Sequence, residues 1–226
     1  MTCRPYALTL LPTRILLLAV ALLASHATHA QASAEQQPYL LPFASAGNTL
    51  NLAVANTSAD RKVDAATVVL FSAPEWITVS PSRLDLGAVA AGAETEATFA
   101  LDLDRRAPVG EEGAVVFDVL DESGAVLQRK TVRVRAAAPD RLALSPPYPN
   151  PAHGEVTVPF EVPTTGEVRV AVYDALGREV AVLHDGEAEP GAHEARLAAG
   201  ALASGAYVVR VTSGEASDVA RIAVVR

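Results

Sequence analysis

Val168 to Leu183 reads VRVAVYDALGREVAVL. Val168, Val170 and Val172 fall on one side of a strand of period two. That is the pattern of a half-buried β-strand. Asp174-Ala175-Leu176-Gly177 then interrupts it, and REVAVL resumes the alternation. An Asp at the start of a type I turn binds nearby backbone amides. A Gly three residues later takes the left-handed position that closes a hairpin. The same signature stands at Asp121-Glu122-Ser123-Gly124, between VVFDVL and AVLQ. Recurrent turn chemistry explains both copies without internal duplication.

Alternation of this kind continues along the chain. Leu50, Leu52 and Val54 share a face, as do Ala97, Phe99, Leu101 and Leu103. Val115, Phe117 and Val119 repeat it, and so do Tyr207, Val209 and Val211. No segment beyond residue 30 holds a helical period. Short strands with frequent turn signals predict an all-β fold of two consecutive antiparallel Ig-like β-sandwiches after a cleaved signal peptide. The boundary is compositional. Ala136-Ala137-Ala138-Pro139-Asp140 is followed by Pro146, Pro147, Pro149 and Pro151. Proline has no N–H for a sheet ladder and fixes φ, so this stretch is expected to be extended and semi-rigid. The expected division is a signal peptide at 1–30, a first sandwich at 39–136, a Pro-rich linker at 137–147 and a second sandwich at 148–226.

Arg4 and Arg14 precede the apolar run Ile15 to Ala24, and small residues ending in Thr28-His29-Ala30 follow. This is the order of a secretory signal peptide. Arg14 holds the run below the ~20 residues a membrane anchor needs. Cleavage is expected after Ala30, with Ala32 and Ala34 as alternatives. Cys3 is the only cysteine and lies within that segment, so the processed chain carries no disulfide and relies on core packing. The net charge of −8 argues against nucleic acid and anionic membrane surfaces as partners. Stable membrane insertion is not expected.

Residues 144–226 carry a set of ordered motifs: Tyr148-Pro149-Asn150-Pro151, Val172-Tyr173-Asp174-Ala175-Leu176-Gly177-Arg178-Glu179-Val180, Gly191-Ala192-His193, and Leu202-Ala203-Ser204-Gly205-Ala206-Tyr207. In this order and spacing they resemble the type A C-terminal sorting domain of bacterial type IX secretion. Two departures stand out. Ala152-His153-Gly154 replaces the family's N-P-F continuation, and the final strand carries Arg221 and Arg226 where lysine is usual. The resemblance implies a domain read by the type IX secretion machinery and its surface protease. It implies that Pro149, Asn150, Pro151, Tyr173, Asp174, Gly177, Arg178, Val180, Gly205, Tyr207, Arg221 and Arg226 make up the sorting motif. Individually, most of these are expected to serve turns and core, with Gly177 and Gly205 chosen for backbone geometry and Tyr207 for packing. Residues 39–136 weakly resemble bacterial Ig-like domains found beside glycosidases, through Asn56-Thr57-Ser58, Pro74-Glu75-Trp76-Ile77-Thr78-Val79-Ser80-Pro81 and Leu86-Gly87-Ala88-Val89. Trp76 is expected to pack on the sandwich edge, with sugar stacking as the alternative.

Signatures of catalysis are missing. There is no G-x-S-x-G elbow, H-E-x-x-H, paired C-x-x-C, P-loop or dinucleotide glycine motif. His184, Asp185, Glu187, Glu189, His193 and Glu194 are close in sequence but read as a solvated hairpin rather than a metal site. Asp102, Asp104, Glu111 and Glu112 do not have calcium-loop spacing and read as an acidic edge. No catalytic residue, metal or cofactor is expected. The resulting expectation is a non-enzymatic exported protein, secreted or at the cell surface via the periplasm. Its first sandwich would be an interaction module with a carbohydrate or protein ligand. The alternatives are an accessory or fragment chain of a secreted hydrolase, and a structural envelope protein that retains its C-terminal domain.

Overall fold

The computed structural model describes residues 37–226. The signal peptide read at 1–30 lies outside the described residues. Alternation decides the strands. Ala97, Phe99, Leu101 and Leu103 are buried, and Thr98 and Asp102 between them are exposed. Leu50, Leu52 and Val54, Val115, Phe117 and Val119, Val168, Val170 and Val172, and Tyr207, Val209 and Val211 are buried as well, whereas Val180 and Val182 of the REVAVL stretch are exposed. Among the described residues there is no α-helix, only a 3-10 turn at Ala199–Ala201.

The first module contains β1 (Tyr39–Leu41), β2 (Asn48–Ala55), β3 (Val63–Ser72), β4 (Ile77–Ser80), β5 (Arg83–Val89), β6 (Glu94–Leu103), β7 (Glu112–Leu120) and β8 (Val126–Ala136). Its two sheets run β1-β8-β7-β3-β5 and β2-β6-β4. They close on a core in which Phe99 and Phe117 meet at 4.6 Å between ring centres. The second module contains β9 (Ala143–Leu144), β10 (Glu155–Val162), β11 (Gly166–Tyr173), β12 (Glu179–Ala188), β13 (Gly191–Ala198), β14 (Gly205–Ser213) and β15 (Ala216–Val224). Its sheets run β13-β10-β9 and β12-β11-β14-β15 around a separate core that includes Phe160, Val170, Val209 and Ile222. No strand of one module pairs with a strand of the other.

The sheets are antiparallel with one exception: β1 pairs in parallel with β8. Nearly the whole first module separates these strands in sequence, so no hairpin dictates their direction.

The proline-rich stretch is only partly a linker. Ala137 N–H still bonds to Leu41 O of the first module at 2.8 Å. Leu142 already belongs to the second core, and β9 pairs with β10. Pro139 is buried, which leaves Asp140 and Arg141 as the exposed junction. Arg105 of the first module crosses the joint. It pairs with Glu161 at 2.8 Å and donates to Ser145 Oγ. The joint is therefore a packed contact rather than a free tether.

Candidate functional site

The sorting-motif residues read from the sequence divide into three structural groups. The first is the tip of the β11–β12 hairpin. Asp174 N–H bonds to Arg178 O at 3.0 Å, and Gly177 N–H returns to Asp174 O at 3.0 Å. Asp174 Oδ1 accepts the amides of Leu176 and Arg178, each at 2.9 Å. Arg178 Nε donates to Asp174 Oδ2 at 2.7 Å. The backbone amide of Arg178, together with its guanidinium and the Leu176 amide, holds the Asp174 carboxyl below the usual carboxylate range. Gly177 has φ +77°, as the turn requires. The Asp121 turn repeats this geometry, with both Ser123 and Ala125 amides on Asp121 Oδ1 and Gly124 at φ +83°. Beside the tip, Tyr173 OH donates to Glu179 Oε2 at 3.3 Å. Glu179 also binds Arg169, whose guanidinium it holds in the charged form more firmly than usual, with help from Asp185. Val180 follows, exposed on β12.

The second group opens β14. Tyr207 is buried, and its OH donates to Ala203 O at 2.9 Å. This fastens the loop before β14 to the strand, as a tyrosine at a sandwich corner does. Gly205 departs from expectation. Its φ is not positive, it is exposed, and a Cβ there would only touch Tyr207 Cε2 at 3.9 Å. No backbone geometry demands glycine at that position.

The third group is the Y-P-N-P segment with the chain end. Pro149, Asn150 and Pro151 run beside β15. The Asn150 side chain donates to Arg221 O at 3.1 Å and accepts from Ala223 N–H at 3.0 Å. Ala152 then pairs in parallel with Val224. Arg226 Nη2 donates to Leu202 O at 3.2 Å, beside the 3-10 turn.

Strand register joins the groups. Arg221 pairs with Val208, Val208 with Tyr173, and Tyr173 with Glu179. These residues form one row across the β12-β11-β14-β15 sheet. The hairpin tip, the start of β14 and the end of β15 therefore lie at the same end of that sheet. Sequence reasoning missed Asp218. Its Oδ2 accepts Leu144 N–H and its Oδ1 accepts Val219 N–H, each at 2.8 Å. A lone Asp in a strand gives no local signal of this role. It also missed the exposed apolar residues Val182 and Val219 on the outward face of that sheet.

Several residues of the acidic clusters have separate structural contacts. His193 stacks on Phe160 at 5.2 Å and its Nε2 meets Glu189 O at 2.7 Å. His184 Nε2 is buried without a hydrogen-bond partner, and Asp185 pairs with Arg169. Asp102 accepts Gly47 N–H, Asp104 accepts Arg106 N–H, and Glu112 pairs with Arg135. Among the described residues no group of three or more His, Asp or Glu side chains converges as metal ligands would. Trp76 is half-buried against the first core beside Gly113. A cleft of about 540 Å³ in the first module is lined by Thr67, Arg83, Asp85, Asp121 and Glu122. Thr67 Oγ1 donates to Asp85 at 2.8 Å, and this bond, with Arg83, lowers the Asp85 pKa. Asp121 is committed to its own turn.

Residues 147–225 match the family model of the secretion system C-terminal sorting domain. The match covers the second module from residue 147 onward, leaving out β9, and agrees with the resemblance carried by its ordered motifs. No curated protein matches the chain. Among solved structures, a protein of unknown function from Porphyromonas gingivalis W83 is 17% identical, with 84% of this chain and 96% of that one covered and a TM-score of 0.33. Dimeric latent PorU from Porphyromonas gingivalis is 13% identical, with 85% and 19% covered and a TM-score of 0.30. The E. coli chaperone DraB is 13% identical, with 83% and 93% covered and a TM-score of 0.31. Likeness at this level carries no functional argument. Among the described residues no helix of the sorting-domain module or of its neighbour is long and apolar enough to cross a membrane.

Proposed function

We propose that this chain is a non-enzymatic exported protein that its sorting domain directs across the outer membrane through the type IX machinery. The match of residues 147–225 carries the reading. The gathering of the hairpin tip, the β14 start and the chain end at one end of one sheet supports it. A translocation machine needs a local surface to recognise, and that end of the sheet supplies one. The first sandwich acts as the surface interaction module. In its cleft Asp85 and Asp121 are engaged in structural hydrogen bonds that favour their ionised forms, so neither is poised as a general acid. A general acid would need a carboxyl raised toward neutral pH.

One observation favours a second reading, a structural envelope protein that retains its sorting domain. Pro139 is buried and Arg105 clamps Glu161 and Ser145, so little extended chain at the junction is open to a surface protease. Deletion of Val219–Arg226 from the full chain tests the main reading in a host with a type IX system. The truncated chain should accumulate in the periplasm while the intact chain reaches the surface. Equal surface delivery of both would overturn it. A C-terminal peptide persisting on surface material would select the retained form.

A further inference from the structure

We propose that Asn150 is a positioning residue that fixes the chain end, so that the Y-P-N-P segment and the terminal strand form a single recognition element. The proposal rests on the sorting function above. β15 pairs with β14 on one side only, so its other edge offers unpaired backbone groups. The segment leading to β10 covers that edge. Its backbone cannot do so alone at Pro149 and Pro151, because neither has an N–H. The side chain of Asn150 takes the place of a peptide unit. Its carboxamide presents one acceptor and a donor group at a short reach. The acceptor meets Ala223 N–H at 3.0 Å and the donor meets Arg221 O at 3.1 Å.

Ala152 continues the ladder. Its N–H bonds to Ala223 O at 2.8 Å, and its O accepts Val225 N–H at 2.9 Å. The backbone of residues 221–225 is thus held from the strap side by Asn150 and Ala152, more than 70 residues away in sequence. Upstream, the next strap contact with β15 is Leu144 N–H on Asp218. Among the described residues, the Asn150 amide supplies the hydrogen bonds that join strap and β15 between the Leu144–Asp218 and Ala152–Ala223 anchors. Without it the Arg221 side chain, in its row with Val208 and Tyr173, and the guanidinium of Arg226 would lose their fixed spacing. Asn150 itself is exposed and lies outside both cores, so its loss removes two hydrogen bonds without opening a cavity.

The test uses the full chain in a host with a type IX system. Asn150→Ala is compared with Val168→Ala, which leaves a cavity in the second core but keeps the tether. Expected for Asn150→Ala are near wild-type circular dichroism and amide exchange at Ala223 and Val225 about tenfold faster, since a tenfold change corresponds to roughly one hydrogen bond's net contribution. Exchange at Val170 and Val209 should stay as in wild type, and the surface fraction should fall. Val168→Ala should melt earlier yet still reach the surface. Wild-type delivery of Asn150→Ala, unchanged exchange at Ala223 and Val225, or an equal delivery loss in Val168→Ala each overturns the proposal. Should the alanine variant not fold, Asn150→Asp keeps the acceptor for Ala223 and loses the donor to Arg221. It should show the same changes at reduced size, and wild-type behaviour contradicts the tether. An unsubstituted chain that never reaches the surface defeats the sorting reading itself and this proposal with it.

Discussion

Asp174 shows how one side chain can specify a turn. Its carboxylate gathers the amides of Leu176 and Arg178, and Gly177 supplies the left-handed residue that lets the chain turn back. The ion pair to Arg178 adds little, because that guanidinium is 75% exposed and screened by water. The amide bonds give the turn a pH signature. They favour the ionised carboxylate, so the folded pKa lies below the unfolded one. The stabilisation is fully present above the unfolded value near ~4 and is lost as pH falls through the lowered folded pKa. The stability difference between wild type and Asp174→Asn, measured by urea unfolding, should therefore shrink from pH 6 to pH 2. A constant difference over that range would show that the charge plays no part. The residue scale was legible where bonding is local. Asp174 and Gly177 announce their turn in four consecutive residues. Gly205 misled, because a glycine beside a buried tyrosine reads like a backbone requirement, and its φ shows none.

Strands were legible because burial follows period two, and that period is written in the valines of β11 and the mixed apolar set of β6. Contacts between elements were not. Gly113 opens β7 beneath Pro74 and Trp76, which precede β4. A Cβ on it would lie 2.6 Å from Pro74 Cγ and 2.8 Å from Trp76 Cζ2. Both partners are ring atoms with little room to yield, and nothing near Gly113 in sequence points to them. Gly113→Ala should destabilise the first module by about 1–3 kcal/mol. Trp76 is the only tryptophan, so its fluorescence during chemical denaturation reports this module alone. An unchanged midpoint would mean that the ring is not seated there. The strap was illegible for a related reason. Clustered prolines describe a linker and an edge cover equally well. Only the long-range bonds of Asn150 and Asp218 decide between them.

At the scale of the whole molecule, two cores with no shared strand sit on either side of a short packed joint. The all-β fold could be read before any contact was known, because it depends on patterning alone. The clustering of the motifs could not. Tyr173 and Arg221 are brought into one row by pairing through β14, an arrangement that sequence spacing does not encode. The central claim is that residues 144–226 carry the export address. It is tested most directly by fusing them to a fluorescent passenger that bears the same signal peptide, in a host with a type IX system, and measuring the passenger in periplasmic and surface fractions. Passenger at the surface with the fusion, and in the periplasm without it, is the expected result. A passenger that reaches the surface equally well without residues 144–226 would contradict the sorting assignment and leave the second sandwich an ordinary Ig-like module.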